Sequence, residues 1–142
     1  MTRKLSPEEL NLMEQSGYSK KAIAFYANNV NVGKIQEPTL TTTFFGSCGD
    51  LIKLYLKINA KNKIKKAKFY YLGCPGAASS ASAMTILVQN KTINNAKNLT
   101  SKDILNYIEG LPKAKQDCAE LSIKTLKKAI GEYEQQKGKT EI

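Results

Sequence analysis

Three cysteines and two aspartates hold most of the chemical potential of this chain. Cys48 and Asp50 sit two residues apart in Gly46-Ser47-Cys48-Gly49-Asp50. The intervening glycine permits positive φ, which lets a thiol and a carboxylate bend toward one point; a plain Gly/Asp hairpin turn accounts for the same residues. Cys74 precedes Pro75, which suits the first position of a helix and makes Cys74 its cap. There the free N–H groups and the helix dipole favour a thiolate. Cys118 follows Asp117 near another helix start, where Asp117 also suits a plain helix-start acid. Cys74 and Cys118 are therefore expected to be partly ionised near neutral pH. Cys74 should have the lower pKa, because Asp117 opposes ionisation at Cys118. Three soft sulfur and two hard oxygen ligands suit iron, a [2Fe–2S] cluster or zinc. No Cys-x-x-Cys pair is present, which argues against a zinc ribbon or a thioredoxin-type redox site.

The residue types that are missing narrow the chemistry further. The chain has no histidine, which excludes a Ser-His-Asp or Cys-His catalytic pair and any imidazole ligand. The net charge is +10, and Arg3 is the one arginine among 22 basic residues. Base-edge readout and bidentate phosphate contacts favour guanidinium, so nucleic acid is not the expected partner. A basic face that docks an acidic protein fits better. The start of the chain shows no apolar run of the signal-peptide kind, and nowhere do 18 apolar residues run together. Three widely spaced cysteines are not a disulfide framework. The expectation is a reducing cytoplasm, with no membrane span.

A length of 142 residues, 42% apolar, suits one domain. The elements that must position the thiols follow from pattern. Ser6-Pro7-Glu8-Glu9 starts a helix over 6–15, and Ser19 opens a second to about 28. Strands are expected at 40–45, 51–58 and 64–72. Ile52, Leu54, Leu56 and Ile58 alternate with Lys53, Tyr55 and Lys57, and the short 59–63 stretch makes a hairpin. Helices follow at 75–89, from Thr100 to about Glu109, and at 116–136. The last carries Ala119, Ile123, Leu126, Ile130 and Tyr133 near one stripe. The fold class is α+β: a small three-stranded antiparallel sheet with helices packed on one face. All three cysteines fall at junctions between elements, which points to a thiol cluster at one end of the sheet.

In these motifs the chain resembles the IscU/NifU-type iron–sulfur cluster assembly scaffolds. The likeness starts at Tyr18-Ser19 and Asn31-Val32-Gly33. It continues through Cys48-Gly49-Asp50 and Gly73-Cys74 with its Ala/Ser-rich helix, and closes on Leu111-Pro112-x-x-Lys115-x-x-Cys118. Twenty-five residues separate Cys48 from Cys74, and 43 separate Cys74 from Cys118. The insertion between the last two cysteines of the zinc-dependent sulfurtransferase relatives is absent.

The resemblance implies a single scaffold domain over 1–142, with 1–17 as an N-terminal extension helix and 18–136 as core. It implies a carrier, not an enzyme. A cysteine desulfurase supplies sulfur, a [2Fe–2S] cluster forms, and apo-proteins receive it. The implied ligands are Cys48, Cys74 and Cys118, with Asp50 at the cluster and Lys115 beside the last cysteine. Asp117 stands where the family usually has histidine, so Asp50, Asp117 or a partner molecule must supply the non-sulfur ligand. Asp50 is the expected one. The alternative of the same fold is a zinc-binding sulfur acceptor. Leu111-Pro112-Lys113-Ala114-Lys115 departs from the Leu-Pro-Pro-Val-Lys that bacterial members present to an Hsp70-type chaperone, so that is the partner the resemblance supports least. A homodimer is compatible with this reading.

Overall fold

The computed structural model describes residues 5–46 and 49–140; Cys48 lies outside them. Helix α1 (Pro7–Gln15) starts with a reciprocal cap. The Ser6 Oγ accepts from the Glu9 N–H at 3.1 Å, and the Glu9 carboxylate accepts from the Ser6 N–H at 3.2 Å. No residue of α1 is buried. Helix α2 (Lys20–Ala27) is capped by Ser19, whose Oγ accepts from the Ala22 N–H at 2.9 Å and donates to the Ile108 carbonyl.

Strands β1 (Leu40–Phe45), β2 (Leu51–Ile58) and β3 (Ile64–Leu72) form one antiparallel sheet in the order β1-β2-β3. The period-two pattern decides its two faces. Ile52, Leu54 and Leu56 pair with Tyr71, Phe69 and Ala67 on the inner face. Ile52, Leu54, Leu56 and Phe69 are fully buried, and each such side chain contributes roughly 1.5–3 kcal/mol. Lys53, Lys57, Lys66 and Lys68 point the other way. Tyr55, on that outer face, is covered by Tyr70, edge-on with ring centroids 6.1 Å apart.

Helix α3 (Pro75–Val88) lies at the centre. Every residue from Gly76 to Thr85 is buried. Its Ala/Ser-rich surface lets α2, β3 and the last helix approach from different sides. A helix surrounded in this way has no polar face. Helix α5 (Ser101–Tyr107) begins with a Thr100/Asp103 capping box and stops two residues before the expected Glu109. Glu109 (φ +65°) and Gly110 (φ +110°) take left-handed backbone there. Helix α6 (Asp117–Thr140) is longer than its apolar stripe indicated. Ala119, Ile123, Leu126 and Ile130 are buried as expected, while the Tyr133 hydroxyl donates to Asn62 at 2.6 Å.

Two short pieces lack a sequence signal strong enough to expect them. One is helix α4 (Ile93–Ala96), capped by Thr92. The other is a 3₁₀ turn over Lys113–Lys115 that leads into α6. No helix among the described residues is long and apolar enough to cross a membrane.

Candidate metal centre

Two helix starts and one strand start meet at the end of the sheet. Cys74 caps α3 in extended conformation (φ −84°, ψ 171°), with Pro75 at the first helical position. Its thiol therefore faces the backbone N–H groups of Gly76 and Ala77. Cys118 is the second residue of α6 and is buried. The two sulfurs lie 3.6 Å apart, although 43 residues separate them in the chain. Asp50 enters from the residue before β2. One carboxylate oxygen of Asp50 and the two sulfurs lie within 4.8 Å of one another.

Two glycines make this closeness possible. A Cβ on Gly73 would lie 3.0 Å from the Asp50 carboxylate. A Cβ on Gly76 would lie 3.2 Å from the Cys118 sulfur and 3.3 Å from the Lys115 side chain. Both positions are close approaches that any larger residue would push apart.

The thiols share their protons unequally. The Cys118 thiol donates to Cys74, and this bond does most to lower the Cys74 pKa to about 5. The N–H groups of Ala77 and Gly76 and the charge of Lys115 act in the same direction against burial. Cys118 is driven the other way. It holds its proton in the bond to Cys74, it is desolvated, and the charges of Cys74 and Asp50 oppose its ionisation. The expectation of two partly ionised thiols thus holds for Cys74 and is corrected for Cys118. The main opposing group is the Cys74 thiolate, with Asp50 as the carboxylate involved, not Asp117. Such a pair titrates as a unit, with one proton lost early and the other late.

Asp117 does not join the Asp50, Cys74 and Cys118 group. It does line the same open cavity of about 300 Å³, together with Lys115 and Leu121. Cys48 falls outside the described residues.

Tyr18 is the site neighbour that reading for ligands passed over. Its phenol lies beside the Cys74 thiol and the Gly76 N–H. Burial, followed by the nearby Cys74 and Cys118 charges, raises its pKa to about 12. The segment carrying it is tied to the turn before the 3₁₀ piece: the Ser19 N–H donates to Gly110, and Gly17 packs on Pro112. The available signal was the Tyr18-Ser19 pair itself, an aromatic directly before a helix cap.

This arrangement has counterparts among known proteins. Residues 17–140 match the NifU-like N terminal domain. An iron–sulfur cluster assembly scaffold protein IscU of Archaeoglobus fulgidus is 35% identical over 123 residues, spanning 86% of this chain and 80% of that protein. The IscU scaffold protein of Azotobacter vinelandii is 34% identical, over 85% of this chain and 97% of that one. In fold alone, the N-terminal part of a nitrogen-fixing NifU-like protein from Brucella abortus superposes with a TM-score of 0.68 at 20% identity, covering 87% of this chain and 98% of that one. The extent of the match and its identity show that this chain belongs to the NifU-like N-terminal domain family, the IscU/NifU type.

Proposed function

We propose that this protein is a scaffold on which an iron–sulfur cluster is built and then handed to apo-proteins. The observation that carries this reading is the convergence of Asp50, Cys74 and Cys118 in a chain that belongs to this family. Soft thiolates retain iron, and a harder carboxylate exchanges more easily. That mixture suits cargo that must be held and then released.

In this reading the cargo sits on Cys48, Cys74 and Cys118, with Asp50 as the usual non-sulfur ligand and Asp117 as its substitute during exchange. Cys74 meets iron already ionised. Cys118 gives up its proton on binding, so loading is favoured as pH rises. Lys115 beside Cys74 offsets the negative charge of the loaded site. The sulfur donor is a cysteine desulfurase and the setting is a reducing cytoplasm, where such thiols stay free. The chain acts as a carrier without turnover of its own. The zinc-dependent sulfur-acceptor reading is not favoured: the similar proteins carry scaffold names, and the sulfurtransferase insertion is missing.

Anaerobic reconstitution with ferrous iron and sulfide tests the proposal. A [2Fe–2S] chromophore with a matching Mössbauer spectrum is expected, and it should pass to an apo-ferredoxin. A protein that stays colourless, or one whose Cys74→Ser and Cys118→Ser variants load as well as the parent, sinks it.

A further inference from the structure

The two edges of the sheet are treated differently. The outer edge of β3 is closed by other backbone. The Phe69 N–H donates to Asn31 at 3.0 Å, and its carbonyl accepts from Gly33 at 2.8 Å. Ile64 donates to Lys91 at 2.8 Å and accepts from Asn90 at 2.7 Å. The edge of β1 receives no such cover among the described residues. The Gly46 N–H donates to Asp50 at 2.7 Å, and the register pairs Phe45 with Leu51. Antiparallel alternation from that bond turns the N–H and C=O groups of Thr41, Thr43 and Phe45 outward. Thr41 is exposed, and Phe45 is 71% exposed.

Proteins usually blunt a free edge with a charge, a proline or a bulge. Leu40-Thr41-Thr42-Thr43-Phe44-Phe45 contains no charge, no proline and no glycine. Its β-branched and aromatic residues suit an extended neighbour. We propose that this edge is a docking strand, which pairs with an extended acidic segment of a partner protein.

Charge selects that occupant. Helix α6 lies over β1, where the Lys128 ammonium donates to the Thr42 hydroxyl at 2.8 Å and is already paired with the Glu132 carboxylate at 3.0 Å. Lys124, one helical turn earlier, is exposed along the same side. Lys53 stands beside Thr43 on the outer face. A strand added to β1 would place alternate side chains toward Lys124 on one face and Lys53 on the other, and acidic residues there are attracted. A second copy would instead bring its own α6 lysines against these. The docking inference stands on the sheet edge and does not depend on the cluster-scaffold reading.

The probe is a capped nonapeptide of alternating valine and glutamate, with a valine/lysine peptide as control. Hydrogen exchange by NMR reads the Thr41, Thr43 and Phe45 amides of the full chain. The acidic peptide should slow their exchange at least about tenfold, and the lysine peptide should leave it unchanged. Thr43→Pro removes an outward donor without touching the β1–β2 ladder, so it should abolish the effect. Lys124→Glu should weaken binding about tenfold. If the β2 and β3 amides show that Thr43→Pro disturbs the sheet, Lys124→Glu decides the matter alone. Unchanged exchange with both peptides overturns the proposal, as does equal protection by both. Protection that appears without peptide and rises with protein concentration, together with a doubled mass, assigns the edge to a second copy and overturns it as well.

Discussion

The position where Gly76 would carry a Cβ lies 3.2 Å from the sulfur of Cys118. A helix start on α3 and a helix start on α6 are thus separated by the width of a missing methyl group. Gly76→Ala would push Cys118 and Lys115 outward by a few tenths of an ångström, with little strain on a helical backbone. Iron affinity should fall on the order of tenfold, as for other residues that support ligands. Iron titration followed by absorption, with circular dichroism to confirm an unchanged fold, checks this.

Thiol reactivity should separate the two described cysteines. Cys74, ionised above about pH 5, should be alkylated by iodoacetamide at pH 6.5 well before Cys118. Equal rates across pH 5–9 would contradict the shared-proton geometry.

Stability of the apo-protein should follow the same pair. Between about pH 5 and its ordinary value of 9.0, Cys74 is ionised in the folded chain and protonated in the unfolded one. The unfolded state then binds more protons, so stability rises with pH through this window. Cys118 has the opposite sign. Its folded pKa is raised above 9.0, so its contribution is present below that pH and is lost as pH climbs beyond it. Tyr18 adds to this loss above pH 10. Urea midpoints should therefore peak near pH 9, and Cys74→Ser should flatten the rising limb.

Tyr18→Phe keeps the ring and removes the hydroxyl that lies beside the Cys74 thiol. Losing a polar O–H beside the thiolate should raise the Cys74 pKa, moving the alkylation profile to higher pH while the melting temperature changes little. A profile identical to the parent would mean the phenol does not reach the sulfur in solution.

The two aspartates differ in place. Asp50 is grouped with the sulfurs, while Asp117 only lines the cavity. Asp50→Ala should change the rate of cluster transfer to an apo-ferredoxin strongly, most simply by slowing release. Asp117→Ala should do so less. The reverse order would reassign the oxygen ligand.

The buried serines of the helix core offer a stability test. The hydroxyls of Ser80 and Ser122 are buried with no partner among the described residues, whereas Ser82 donates to the Val30 carbonyl at 2.8 Å. Ser80→Ala should be neutral or stabilise by up to about 1 kcal/mol, because a buried unsatisfied hydroxyl is removed. Ser82→Ala should destabilise by roughly 1 kcal/mol, because it strands the carbonyl of Val30. Chemical denaturation of both variants measures the difference.

Much of this architecture is local and was legible in the sequence. The three strands run where β-branched and alternating residues put them, since period-two patterning and a short turn suffice to specify a hairpin. The caps at Ser6, Ser19 and Thr100 are side-chain bonds to backbone three residues on. Helix α4 was not legible, because four residues carry too little periodicity to register. Helix α5 ends before Glu109 because the backbone turns left-handed there, which propensity does not signal.

The candidate site divides in the same way. Residue types and junction positions marked Cys48, Cys74 and Cys118, with Asp50 and Asp117, as candidate ligands, because thiols at element boundaries and carboxylates beside them are properties of short segments; the family resemblance put Asp50 ahead of Asp117. The 3.6 Å contact between the two sulfurs, the suppression of ionisation at Cys118, the exclusion of Asp117 from the group and the phenol of Tyr18 were decided only by the tertiary structure. Each depends on how α3, α6 and the segment before α2 pack at one end of the sheet, and pKa values and distances between segments follow from that packing alone.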